Sequence, residues 1–204
     1  YVEKSIDRAC EAILQRDVEF LQETYQLEKM IDQMHLEVDR RCFRLLAKQA
    51  PVAADLRFIL AVVKINTDLE RMGDQAVNVA RSAGDLLNGW GWQPPGAFEK
   101  MVDQVKDMIR LALDAFVRAD IELSEEVMQR DGNVDDLKLR ISNELQEQMQ
   151  GNAGQIESCL DFFGIIRNLE RLGDHATNIA EDVIFYATGD DVRHKAEGIS
   201  SSLA

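Results

Sequence analysis

Glu70 and Asp74 stand four residues apart, and Glu170 and Asp174 repeat that spacing 100 residues later. On a helix four residues make about one turn, so each pair sets two carboxylates on one face. Asn78 and Asn178 carry each row a turn further and are counted with the acids as candidate metal ligands. Like charges so placed destabilise an isolated helix by roughly 0.2–0.5 kcal/mol. Gly73 and Gly173, between the acids, each cost about 1 kcal/mol relative to alanine. Stability alone favours neither feature. A bound cation would relieve the repulsion, and a glycine would let a second backbone come close.

Further acids share the pattern. Glu28 and Asp32 have the same spacing, and aligning the helix breaks at Asp17 and Asp120 sets them on Asp131 and Asp135. If the helices pack antiparallel, four carboxylates converge on one patch in each half. Oxygen donors alone suit Mg²⁺, Mn²⁺, Ca²⁺ or iron rather than a thiolate or imidazole zinc site. The competing reading is a set of solvated helix faces without metal. Asp131-Gly132-Asn133-Val134-Asp135 resembles the opening of an EF-hand loop, but Asp136 and Ser142 occupy positions that require glycine and glutamate. The Glu-x-x-His of di-iron bundles is missing. His175 lies about 100° round the helix from Asp174 and reads as a surface residue. Arg71 and Arg171 adjoin the acids and read as balancing their charge. No phosphate loop, Gly-x-Ser-x-Gly or His-Glu-x-x-His appears.

The elements that must carry these residues come in two sets. Leu69–Ala80 and Leu169–Ala180 agree at eight of twelve positions, which marks a tandem duplication. Apolar spacing predicts a first helix over 2–15, a break at Arg16-Asp17 with Asp17 as N-cap, and a second helix to about 47. The stripe of the second includes Phe20, Leu27, Met30, Ile31, Met34, Val38, Cys42, Leu45 and Leu46. Its basic end, Arg40, Arg41, Arg44 and Lys48, complements a helix C-terminus. Pro51 opens a third helix, over about 52–87, whose stripe runs from Leu56, Ile59, Leu60 and Val63 through Leu69, Met72 and Ala76 to Leu86. Gly/Pro-rich residues 89–96 read as a linker, with Trp90 and Trp92 anchoring it. Helices over about 97–118, 121–150 and 155–187 repeat the plan. The expectation is an all-α, elongated six-helix bundle of two tandem three-helix repeats, 1–88 and 97–188, with a polar tail over 189–204.

Composition narrows the function. The formal charge of −14 argues against nucleic acid and against adsorption to anionic lipid. No apolar run is long enough to span a membrane. Cys10, Cys42 and Cys159 are widely spaced and read as reduced thiols, which fits a cytoplasmic protein.

The doubled Leu-Glu-Arg-x-Gly-Asp-x-Ala-x-Asn-x-Ala resembles the signature of the PhoU family. Gln49–Arg57 resembles the start of that family's third helix, and Asp191-Val192-Arg193-His194 resembles its C-terminal ending. The resemblance covers nearly the whole chain. It implies a cytoplasmic, non-enzymatic negative regulator of phosphate uptake and of the phosphate-starvation response. Such a protein acts through the ATPase of the phosphate ABC transporter, PstB, and the sensor kinase PhoR, often as a homodimer. The resemblance also implies metal on the acidic motifs, iron or a divalent ion such as Mn, Mg or Zn, held by Glu70, Asp74, Glu170 and Asp174, with Glu28, Asp32, Asp131 and Asp135 matching less closely. The alternative is a metal-dependent phosphohydrolase. Gly132-Asn133 should loosen its helix, so the Glu70/Asp74 half is expected to be the better formed.

Overall fold

The computed structural model describes residues 1–87 and 93–192. The anchoring role expected of Trp90 and Trp92 lies outside these residues, as do Arg193 and His194. The described residues form six α-helices and one 3-10 turn, without a strand. Helix α1 spans Val2–Gln15, α2 Glu19–Gln49 and α3 Ala53–Leu87; α4 spans Phe98–Arg118, α5 Ile121–Gly151 and α6 Ile156–Thr188.

Local chemistry sets the breaks. Arg16 takes a left-handed conformation (φ 56°) and its N–H returns to the Ala12 carbonyl, ending α1. Asp120 caps α5, its Oδ1 accepting the Leu123 N–H at 3.1 Å, but Asp17 is not the cap expected: Val18 takes that position without a side-chain bond, and Asp17 Oδ1, one residue earlier, accepts the Glu19 N–H at 2.8 Å in a local turn. Helix α3 begins at Ala53, not at Pro51, which stays in the turn: Ala50 and Ala53 both have positive φ and redirect the chain there. Helix α5 runs unbroken through Gly132 and Asn133, contrary to the expected loosening. Buried Val127, Val134, Leu137 and Ile141 hold it from either side of the glycine.

Helices α3 and α6 form the central pair. α1 and α2 pack on α3, α4 and α5 on α6, and α1 also meets α4. Antiparallel register is fixed by Lys64 to Asp182 at 2.8 Å and Asn178 to Asp68 at 3.4 Å, with Gly164 against Ser82 towards the other end. Ala76, Ala80 and Ala83 of α3 and Ala176 and Ala180 of α6 are fully buried, and such small side chains let helices approach closely. At about 1.5 Å per residue the 35-residue α3 is roughly 50 Å long, so the bundle is elongated.

Parts of the expected stripes are not core. Met30, Met34 and Leu45 on α2 and Leu56 and Leu60 on α3 are exposed. Helix α1 has 14 residues against 21 for α4. α1 packs on α2 and α4 on α5, where Leu137, Ile141 and Leu145 are buried.

Candidate functional site

In the second repeat α5 and α6 bring the four expected acids together. Asp174 is exposed at its edge, but partial burial of its carboxyl raises it above its ordinary value, and the charges of Glu170, Asp131 and Asp135 raise it further; His175 works the other way. Asp131 is raised by burial, then by Asp135 and Glu170, against a hydrogen bond with Thr177 that lowers it. Mutual repulsion among carboxylates is what a cation or a proton relieves. One cation is already present: Lys138 Nζ meets Glu170 Oε1 at 2.6 Å. Lys138, a turn beyond Asp135, thus fills the balancing role expected of Arg171. Neither Arg71 nor Arg171 forms an ion pair among the described residues.

The first repeat is looser. Glu28 is raised by burial first, then by the charges of Asp32 and Asp74. Glu70 is not among the groups acting on it. Among the candidate acids, two are shifted in the second repeat, Asp131 and Asp174, against Glu28 in the first.

The two motif glycines also differ. A Cβ on Gly73 would stand 3.1 and 3.2 Å from Ile31 side-chain carbons, so a neighbouring side chain, not a backbone, needs that space. A Cβ on Gly173 would meet Asp131 Oδ1, Met108 and Val134 at an ordinary 3.8 Å. Asn78 and Asn178 turn away from the carboxylate pairs. Asn178 Nδ2 donates to Asp68 Oδ1 across the central pair, and Asn78 Oδ1 accepts from Arg81 at 3.4 Å.

The arrangement fits a cation in charge but not yet in geometry. Among the described residues no three His, Cys, Asp or Glu side chains stand at coordination spacing. Glu170 would have to leave Lys138, and the carboxylates of Asp131, Asp135 and Asp174 would have to turn inward, to make an all-oxygen site.

One polar centre escaped the sequence reading. His175 Nδ1 lies 2.8 Å from Asp68 Oδ1, with side chains only 13% and 11% exposed. It is an interior partner of α3, not a surface histidine. The two residues are 107 apart in the chain, so no local spacing links them. Only the antiparallel register of α3 and α6 brings them together. The three cysteines are buried and unpaired with one another, and burial pushes the Cys10 thiol up to about 12.

A duplicated three-helix unit with an acidic face on the second and third helices of each repeat defines a class of all-helical repeat protein. The chain belongs to the PhoU family: the profile of the PhoU domain matches residues 1–83 and again 98–183. It is 40% identical over 195 residues to the phosphate-specific transport system accessory protein PhoU homolog of Pseudomonas putida, covering 95% of this chain and 76% of the relative. The Pseudomonas aeruginosa homolog is equally similar, with 80% of its length covered. The crystal structure of PhoU from Pseudomonas aeruginosa superposes with a TM-score of 0.88 at 39% identity, covering 93% of this chain and 91% of that one. That of the phosphate transport system regulatory protein PhoU from Streptococcus pneumoniae gives 0.85 at 26% identity, covering 94% and 90%. The relatives' names support an accessory role in phosphate transport. Among the described residues no helix is long and apolar enough to cross a membrane.

Proposed function

We propose that the chain is a cytoplasmic, non-enzymatic regulator that holds phosphate uptake and the starvation response off when phosphate is plentiful. It would act on the ATPase of the phosphate ABC transporter and on the sensor kinase, as a homodimer. The observation that carries this reading is the pair of acidic faces, one per repeat, on a fold shared with proteins named for phosphate transport. An acid-rich helix face offers charge complementarity to basic segments of the ATPase or kinase.

Two tests separate the parts of this reading. In cells lacking their own PhoU protein, the chain should restore repression of a starvation reporter, and Glu70→Lys/Glu170→Lys should not. Pull-down of the ATPase should fall with the same pair, and unchanged capture would remove the acidic faces from partner binding.

The metal reading is tested separately. Metal analysis of the protein after incubation with Mn²⁺, Fe²⁺ or Mg²⁺ should find bound ion that Asp131→Asn/Asp174→Asn loses. Equal metal in both proteins would leave the acidic faces as docking surfaces. As a non-enzyme the chain should release no phosphate from a phosphomonoester in the presence of Mn²⁺, and turnover would favour the phosphohydrolase reading.

A further inference from the structure

The symmetry that relates the repeats maps a groove between α3 and α6 onto a second α3–α6 surface of opposite charge. The groove, about 330 Å³, is lined by Lys64, Thr67, Asp68 and Arg71 of α3 and Asn178, Glu181 and Asp182 of α6. Its buried acids are spoken for: Asp182 meets Lys64, and Asp68 meets His175. Advancing each position by one repeat places the twin surface on Gly164, Arg167, Asn168 and Arg171 of α6 and Asn78, Arg81 and Ser82 of α3. These segments do face each other, since a Cβ on Gly164 would stand 3.4 Å from Ser82 Oγ.

All three acids of the first groove are replaced on the second surface. Asn168 stands for Asp68, Arg81 for Glu181 and Ser82 for Asp182, while Arg167 replaces Thr67. The twin surface therefore carries three guanidinium groups beside the Ser82 hydroxyl; Asn168 Nδ2 is taken by the Gly164 carbonyl at 2.8 Å, and Asn78 Oδ1 accepts from Arg81. None of the three arginines has an ion pair among the described residues, although acids outnumber bases 37 to 23 in the chain. Asp85 and Asp161 lie a turn beyond Ser82 and Gly164, close enough for Asp85 to add to the effect of burial in raising Asp161. They close that end to anions, and Asp74 and Asp174, a turn beyond Asn78 and Arg171, bound the other, which leaves the Arg81/Arg167/Arg171 middle as the seat. Forked guanidinium donors match the oxygens of a phosphate group. At physiological salt, acids more than about 8 Å away are largely screened from it.

We propose that this second α3–α6 surface binds a phosphate-type oxyanion, free or as a phosphate ester. The site uses none of the carboxylate pairs. It would give the proposed regulator a direct contact with phosphate, and so rests on that reading for its meaning but not for its test.

The test is titration calorimetry of metal-stripped protein with inorganic phosphate and, separately, ATP, at constant ionic strength. Saturable binding in the millimolar range or tighter is expected. It should weaken about tenfold or more in Arg167→Ala/Arg171→Ala, and also in Arg81→Glu/Ser82→Asp, which rebuilds the acidic twin. Arg71→Ala, on the first groove, should bind as the parent does, and far-UV circular dichroism should show all variants folded. The tighter of the two ligands identifies the free ion or the ester as the natural form. Absence of saturable binding of both, or binding that survives both surface variants, or equal loss in Arg71→Ala, would overturn the proposal. None of those results would touch the transporter and kinase roles.

Discussion

At the scale of single residues, the two copies of the motif have the same letters and different surroundings. Gly173→Ala adds a methyl at ordinary contact distance from Asp131, Met108 and Val134. It should therefore realise most of the helix-propensity gain, up to about 1 kcal/mol. Gly73→Ala drives a methyl against Ile31 at 3.1 Å and should gain less or lose stability. Urea unfolding of the two variants side by side measures the difference, and equal shifts would mean that Ile31 yields freely. Sequence spacing located the Glu-x-x-x-Asp pairs because a helix makes such neighbours local. It misplaced His175 and Arg171 because their partners, or lack of them, depend on a second helix about 100 residues away in the chain. Lys138 had a readable signal: it follows Asp135 by three residues on the acid-bearing face of α5.

At the scale of elements, apolar periodicity located all six helices, since each buries a stripe against its neighbours. It could not tell which part of a stripe would find a neighbour. Leu60 and Leu160 occupy equivalent positions of the two repeats and are both exposed. Leu60→Gln and Leu160→Gln should each change unfolding free energy by less than about 0.5 kcal/mol, while Leu172→Ala, fully buried on α6, should cost about 2–5 kcal/mol. Polar clasps supplement the apolar contacts. Asn66 Nδ2 donates to the His35 carbonyl and to Asp39 Oδ1, both at 3.0 Å, tying α3 to α2. Asn66→Ala leaves those acceptors short of a donor in a half-buried seam and should cost about 1–3 kcal/mol. The position is Ile166 in the second repeat, so this clasp exists once. A penalty no larger than that of an exposed asparagine would show that the helices are held by apolar packing alone.

At the scale of the whole molecule, the charge of −14 and the convergent carboxylates act in the same direction. Glu28, Asp131 and Asp174 are all raised above their ordinary values, mainly by burial and then by one another or by neighbouring acids. The folded chain therefore holds these protons more tightly than the unfolded chain does. Their contribution to stability is least unfavourable below the ordinary carboxylate value of about 4, and worsens as pH rises through the raised values. Overall self-repulsion grows in the same direction. A divalent cation at the Asp131/Asp174 cluster would replace the missing protons, so its benefit should be small where the acids are already protonated and large where they are not. Thermal melts should show Mn²⁺ or Mg²⁺ raising Tm more at about pH 7.5 than at about pH 4, the ordinary carboxylate value. NaCl at equal ionic strength should give a smaller gain, because screening alone does not fill a site. Asp131→Asn/Asp174→Asn should raise Tm without metal at the higher pH and abolish the excess effect of the divalent ion. If the variant still gains as much from Mn²⁺ as the parent does, the cation acts on the general surface charge, and the second repeat's acids are no more than the densest part of that surface.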